Sequence, residues 1–217
     1  MKAVLLGIDG LSYTSFMKCS PRFLFTLFSS TFRGVVSNKR PQFPYSSWLS
    51  ILEMQDVNQN GFLPVGSVIN TKLLSETGAI PINLPITDPT FGKYSIKYSS
   101  DVDFEEEINS VVKAILENVK EAPVIADITA IDRVLHHNRD PNLKCKIYQA
   151  VDHAVKRIVS EVDDFIIFSP YGEPLSEEEG NHEDYGVYLS TMPRPKEHDV
   201  VKLPEIGKLF LQLVKGY

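Results

Sequence analysis

The chain has 217 residues, 43% of them hydrophobic and 23% charged, with a formal net charge of -6. That balance belongs to a globular protein with one substantial core, and a single domain over 1–217 is expected rather than two. The negative total argues against a nucleic-acid scaffold, which would show a basic stripe, while local charge and backbone N–H groups still leave room for a small anionic ligand.

Short apolar runs alternate with helical patterns along the chain. Strands are expected at 3–8, ending at Asp9-Gly10, and at 32–37, 79–84, 124–129, 165–168 and 186–190. A helix is expected over 12–28, broken or restarted at Pro21, and a short one over 46–54. Two amphipathic helices follow. Phe104, Ile108, Val111, Val112, Ile115, Leu116 and Val119 fall on one face of the first, with Asp101 and Asp103 where its cap belongs. Leu143, Ile147, Val151, Ala154, Val155, Ile158 and Val159 line the second. A last helix follows Pro204. Between Glu173 and Asp184 the chain is acidic and poor in apolar residues, and reads as a mobile surface loop.

Strands alternating with helices define an α/β fold, a mostly parallel sheet sandwiched by helices. Ligands of such sheets bind beyond the carboxyl ends of the strands. No stretch approaches the ~18–20 apolar residues of a membrane span, and MKAVLLGIDG lacks the longer apolar region of a signal peptide. Cys19 and Cys145 stand far apart without zinc-type spacing. A disulfide is therefore not expected, and a reduced, cytoplasmic setting fits.

The polar residues at the strand ends carry the candidate chemistry. Asp9 ends the first strand. Ser46 and Ser47 follow the second. Asp132 and His136 follow the fourth, Ser169, Tyr171 and Glu173 the fifth, and His182 precedes the sixth. Carboxylates and imidazoles converging at one sheet edge suit a divalent ion such as zinc or manganese. Each also has a plainer reading. Asp9 before Gly10 is a turn residue. Asp132, or the pair Ser46 and Ser47, is a helix cap. The acidic run is a solvated face. His153 and His198 have no supporting context.

Order and spacing together resemble the alkaline phosphatase superfamily, in particular its type I phosphodiesterase/nucleotide pyrophosphatase branch. VLLGIDGLS resembles the opening strand with its metal-binding Asp. FRGVVSNKRPQFPYSSWLSIL resembles the segment carrying the nucleophile at a helix start. TGAIPINLPITDP resembles a strand-plus-loop of microbial members. ADITAIDRVLHH resembles the strand followed by Asp-x-x-x-His, KIYQAVDHAVKRIV the helix after it, and NHEDYGVYLS the last ligand His with its closing strand. The resemblance implies an alkaline-phosphatase-like fold with a reduced cap and a metal-dependent phosphoester hydrolase. Asp132, His136 and His182 would hold one ion, zinc first and manganese second. Asp9 would serve the other ion, together with the nucleophile. A small phosphate ester or a nucleotide is the implied partner.

The departures matter as much. FIIFSPYGEP falls where the family has a strand ending in Ser-Asp-His-Gly, so Pro170-Tyr171 stands in place of two ligands of the second ion. Counting back from WLSI places Pro44, not a hydroxyl, at the nucleophile position, with Ser46 the nearest replacement and Ser47 next. Glu173 is a candidate substitute carboxylate. Three readings follow: a one-metal or remodelled phosphoesterase, a catalytically silent relative that binds a phosphate ester, nucleotide or protein, and a structural domain in which Asp9 and Asp132 only cap.

Overall fold

The computed structural model describes residues 1–67, 69–193 and 200–216; His198 lies outside them. The strands are β1 (Ala3–Ile8), β2 (Phe32–Ser37), β3 (Ile80–Ile82), β4 (Val124–Ile128), β5 (Asp164–Phe168), β6 (Tyr185–Ser190) and β7 (Val200–Lys202). The helices are α1 (Tyr13–Cys19), α2 (Arg22–Ser30), α3 (Pro44–Glu53), α4 (Lys72–Thr77), α5 (Phe104–Asn118), α6 (Ala130–Leu135), α7 (Pro141–Val159) and α8 (Leu203–Lys215).

One sheet runs in the order β3-β4-β1-β5-β6-β2-β7. Only β6 is antiparallel to its neighbours; the remaining pairs are parallel. The α/β sandwich expected from the alternation is the one observed. Side chains of β1 alternate between two cores, as the period of a strand requires. Val4, Leu6 and Ile8 join the layer that packs α1, α2, α5 and α7. Ala3 and Leu5 join the layer under α3 and α8.

The helix ends follow local chemistry. The Asp103 carboxylate accepts from Glu106 N at 2.8 Å to start α5, and Asp140 accepts from Leu143 N at 2.8 Å to start α7 ahead of Pro141. Pro21 separates α1 from α2, and Ser20 closes α1 in the left-handed region at φ 51°. Strand β3 stops short of the expected 79–84 because Asn83 turns to φ 56°, after which Leu84 bridges Phe91. The elements α4, α6 and β7 carried no readable period, being six, six and three residues long.

Two expectations are corrected. Cys19 and Cys145 form a disulfide across 126 residues of chain. Their distance in sequence says nothing of their distance in space, because α1 and α7 lie side by side on one face of the sheet. The bond removes the ground on which a reducing setting was expected. Losing this crosslink is expected to cost roughly 2–4 kcal/mol. Reductant should therefore lower the melting temperature of the wild type and leave a Cys19→Ser/Cys145→Ser protein unchanged. The acidic loop is the second correction. Its ends pair through Pro174 and His182, Gln42 N donates to Gly180 O at 3.0 Å, and the Arg40 guanidinium reaches Asp184 Oδ1 at 2.9 Å. The glutamates Glu177 to Glu179 stay exposed, but the backbone is tied down. Among the described residues no helix is long and apolar enough to cross a membrane.

Candidate metal centre

The sheet topology gathers the site. Because β6 alone runs antiparallel, the residues that precede it lie at the edge where the parallel strands end. His182 thus arrives beside Asp9, which follows β1, and Asp132 and His136, which follow β4. Asp9 N donates to Ile128 O at 3.1 Å, and Asp132 N donates to Asp9 O at 3.2 Å, tying the two strand ends together. Gly10 makes this possible. It sits at φ 82°, and a Cβ there would lie 3.1 Å from Asp132 N.

Asp132, His136 and His182 are all buried and form the one candidate metal cluster among the described residues. His182 Nε2 lies 2.7 Å from Asp132 Oδ1 and 3.1 Å from His136 Nε2. His136 Nε2 lies 3.4 Å from the same carboxylate oxygen. Ligands about 2.0–2.1 Å from a tetrahedral ion stand about 3.3 Å apart. The three atoms fit one ion after movements of a few tenths of an ångström. The surroundings support the same orientation. His136 Nδ1 lies 3.0 Å from Ser176 O; donating there leaves Nε2 free as a lone pair. The Tyr98 hydroxyl donates to Asp132 Oδ2 at 2.6 Å, occupying the oxygen that the imidazoles do not use.

Electrostatics agree with a ligand role. Burial works to raise the Asp132 carboxyl, but the two imidazoles outweigh it and hold the group well below the usual carboxylate range. Burial lowers His136, and the Asp132 carboxylate more than reverses that, leaving the ring more basic than a free imidazole. Asp9 differs. Burial, then the Asp132 charge, raises it well above the ordinary value.

Tyr171 points inward. It is fully buried, its ring stacks on His182 with centroids 3.9 Å apart, and its hydroxyl lies 3.5 Å from both Asp9 Oδ2 and Asp132 Oδ2. The phenol fills the space between the two carboxylates. The serines sit elsewhere. Ser46 and Ser47 line a cleft with Asn38, Lys39 and Lys202. Ser46 Oγ donates to Val57 O at 2.9 Å, and Ser47 Oγ to Phe43 O at 2.7 Å. Pro44, the first residue of α3, lines the cavity over the triad instead. Glu173 is not offered to the triad. Lys144 Nζ and the Tyr148 hydroxyl bind it at 2.6 and 2.8 Å, and Ser15 donates to it as well.

Three buried groups escaped the sequence reading. Asp127, inside β4, is raised by burial and by Asp9 beside it, and both its oxygens lack a conventional partner. A carboxylate in the middle of an apolar parallel strand was itself the signal, since such residues are almost never buried without a reason. Glu107 and Arg133 form a buried ion pair, Nη2 to Oε2 at 2.7 Å. Glu107 lies in the first turn of α5, where an acidic residue is ordinary and gives no signal of burial.

No family model matches the chain, and no curated protein matches it. Solved structures do. The alkaline phosphatase from the Antarctic bacterium TAB5 aligns with a TM-score of 0.64 at 10% identity, covering 98% of this chain and 97% of that one. A mutant of the same enzyme with magnesium bound aligns at 0.65. The PH0037 protein from Pyrococcus horikoshii aligns at 0.63 with 12% identity, covering 99% and 97%. Phosphonoacetate hydrolase from Sinorhizobium meliloti 1021, solved with phosphonoformate, aligns at 0.54 with 10% identity, covering 78% of this chain and 56% of that one. The fold is alkaline-phosphatase-like.

Proposed function

We propose that the protein is a metal-dependent phosphoester hydrolase of the phosphodiesterase/nucleotide pyrophosphatase kind, built around one divalent ion, zinc or manganese, on Asp132, His136 and His182. The observation that carries this reading is the convergence of three ligand atoms, 2.7 to 3.4 Å apart, at the wall of an open cavity. Three protein ligands with a position left open are the makeup of a catalytic zinc site. A divalent ion there would polarise a phosphoryl oxygen and make a water acidic enough to attack.

The chain's own residues set the limits. Tyr98 and Ser176 hold Asp132 and His136 in their ligand orientations. Tyr171 takes the volume that a second ion would need. Asp9 acts as a positioning residue, holding α6 through its backbone oxygen and Tyr171 through its carboxyl. With Pro44 facing the cavity, the attacking oxygen belongs to water rather than to Ser46 or Ser47. Ser46→Ala and Ser47→Ala are accordingly expected to keep turnover within about twofold, because both hydroxyls are engaged by Val57 and Phe43 carbonyls and neither lines the cavity over the triad. A loss of tenfold or more in either variant returns the nucleophile role to that serine.

A second reading, a silent relative that binds a phosphate ester without cleaving it, is favoured by Pro44 and Tyr171 together. Hydrolysis of bis-p-nitrophenyl phosphate with added zinc or manganese decides between them. Metal-dependent release that disappears in His182→Ala supports the hydrolase. A folded protein that binds zinc and releases nothing leaves the binding reading.

A further inference from the structure

His182 reaches the triad on a loop whose two arms pair with each other. Leu175 N donates to Asn181 O at 3.0 Å, Glu183 N to Glu173 O at 2.9 Å, and Gly172 N to Glu183 O at 3.1 Å. The same loop supplies the Ser176 carbonyl to His136 Nδ1. Both arms are gripped by α1 and α7. The Ser12 hydroxyl, at the cap of α1, donates to Glu183 Oε2. The Ser15 hydroxyl donates to Glu173 Oε1. The Tyr148 hydroxyl donates to the same oxygen at 2.8 Å, and Lys144 Nζ meets Glu173 Oε2 at 2.6 Å. Ser12 N donates to the Tyr148 oxygen at 3.0 Å and closes the ring. Glu173 is buried, and a buried carboxylate depends on its partners. These three partners all lie on α1 or α7.

The Cys19–Cys145 disulfide staples these two helices beside the same contacts. Cys145 directly follows Lys144, and Cys19 lies one turn of α1 beyond Ser15. Helix α1 has seven residues, too few to hold its shape unaided, so its place relies on such ties. We propose that Glu173 is a positioning residue for His182, and that the disulfide, acting through Glu173, sets how tightly the triad holds its ion. The inference rests on the reading of Asp132, His136 and His182 as an ion site. With the bond intact, the loop is held closed and the ligand geometry exists before an ion arrives. With the bond open, α1 loosens against α7, Glu173 loses part of its ring of donors, and the closed loop is less populated. Apparent affinity falls in proportion to that population. Arg40 and Gln42 still hold the loop from another segment, so the site is weakened rather than lost. Opening takes a dithiol reductant. Its thiolate displaces one cysteine sulfur, its second thiol resolves the mixed disulfide, and it leaves as a cyclic disulfide while its two protons end on the cysteines. Cys145 is only half-buried, which gives the reductant access.

Zinc affinity is measured by chelator competition on the whole chain, in wild type, Glu173→Gln, Cys19→Ser/Cys145→Ser and the variant combining all three changes. Serines are used because free thiols would themselves bind zinc. Ile206→Ala, in the core layer under α8, controls for lost stability alone. Glu173→Gln and the double serine variant are each expected to hold zinc about tenfold more weakly than wild type. The combined variant should be no weaker than about tenfold as well, because both changes undo one clamp. Ile206→Ala should keep wild-type affinity. In the metal-free protein, amide exchange at Leu175 and Glu183 should quicken in the same variants, and in wild type treated with dithiothreitol. Unchanged zinc affinity in either variant, or an equal loss in Ile206→Ala, overturns the proposal and keeps the ion site. A ~100-fold loss in the combined variant overturns the route through Glu173, since independent effects multiply. No zinc bound by wild type sinks the ion reading itself; faster exchange in the variants then leaves Glu173 as a tie of the loop alone.

Discussion

Asp132→Asn is expected to lower zinc affinity at least ~100-fold, since changing even groups that merely support a ligand commonly costs 10–100-fold. Wild type should bind one ion per chain. The substitution is nearly isosteric and Asp132 is buried, so the folded state should survive and circular dichroism should stay unchanged. His182→Ala removes a proposed ligand outright, but it also opens a hole beneath the Tyr171 ring and confuses metal loss with packing loss. The asparagine variant is therefore the cleaner test. Proton competition gives an independent check. His136 is held more basic than a free imidazole, chiefly by Asp132 acting against burial. Its proton must leave before Nε2 can serve an ion. Zinc affinity should thus climb as pH rises through the neutral range, then level off once that ring is neutral. Asp132 stays ionised throughout and adds no slope of its own. Chelator competition at several pH values reads both effects. A flat profile, or an Asp132→Asn protein that still holds zinc as wild type does, would mean the three residues are a hydrogen-bonded cluster and nothing more.

The parts of this site that could be read from sequence share a property. Asp9 directly follows β1, Asp132 and His136 lie in and just after the short α6 beyond β4, and His182 precedes β6, so the strand ends announce where they must fall. Ser169-Pro170-Tyr171 was legible in the same way, as a departure at a strand end. What stayed hidden depends on contacts between distant segments. Nothing local shows that Tyr171 turns inward to stack on His182, since the loop that brings His182 there is fixed by Arg40 and Gln42 from another part of the chain. The disulfide is hidden for the same reason: 126 residues separate its cysteines. Ser46 and Ser47 lie apart from the triad cavity. Their place near the start of α3 suggested the site, yet one turn of helix carries Pro44 and Tyr45 to the triad cavity and turns both hydroxyls to a neighbouring cleft. A residue's position in sequence selects an element, and the phase of the helix selects the face.

Breaking the ion pair of Glu107 and Arg133 should produce the largest loss of stability of any single polar change here. The side chains are 0% and 1% exposed. Glu107 accepts from Arg133 Nη2, Thr129 N and Thr129 Oγ1, each at 2.7 Å, and from Asn83 Nδ2 at 2.9 Å. Arg133 Nη1 reaches the carbonyl of Val102 at 3.0 Å. One buried pair thus joins α5, the turn after β3, the end of β4, α6 and the 99–102 segment. Glu107→Ala leaves a guanidinium in the core without its counter-charge, at a cost of about 3–5 kcal/mol. In a chain of this length that is a fall on the order of 10 °C in melting temperature. Glu107→Gln keeps shape and two acceptor directions and should cost less. Arg133→Met on the Glu107→Gln background should cost less than the two single changes added, because the second change removes a charge already stranded. The same network borders the cavity over the triad. Segment 99–102 follows directly on Tyr98, whose hydroxyl holds Asp132, and Arg133 is the next residue after Asp132. Zinc affinity should fall with stability in Glu107→Ala, although Glu107 is not itself a ligand. A variant that loses 10 °C and keeps full zinc affinity would show that α6 holds Asp132 and His136 without help from the buried pair. A loss below 1 kcal/mol would show that water or a relaxed α5 takes over the role of Glu107.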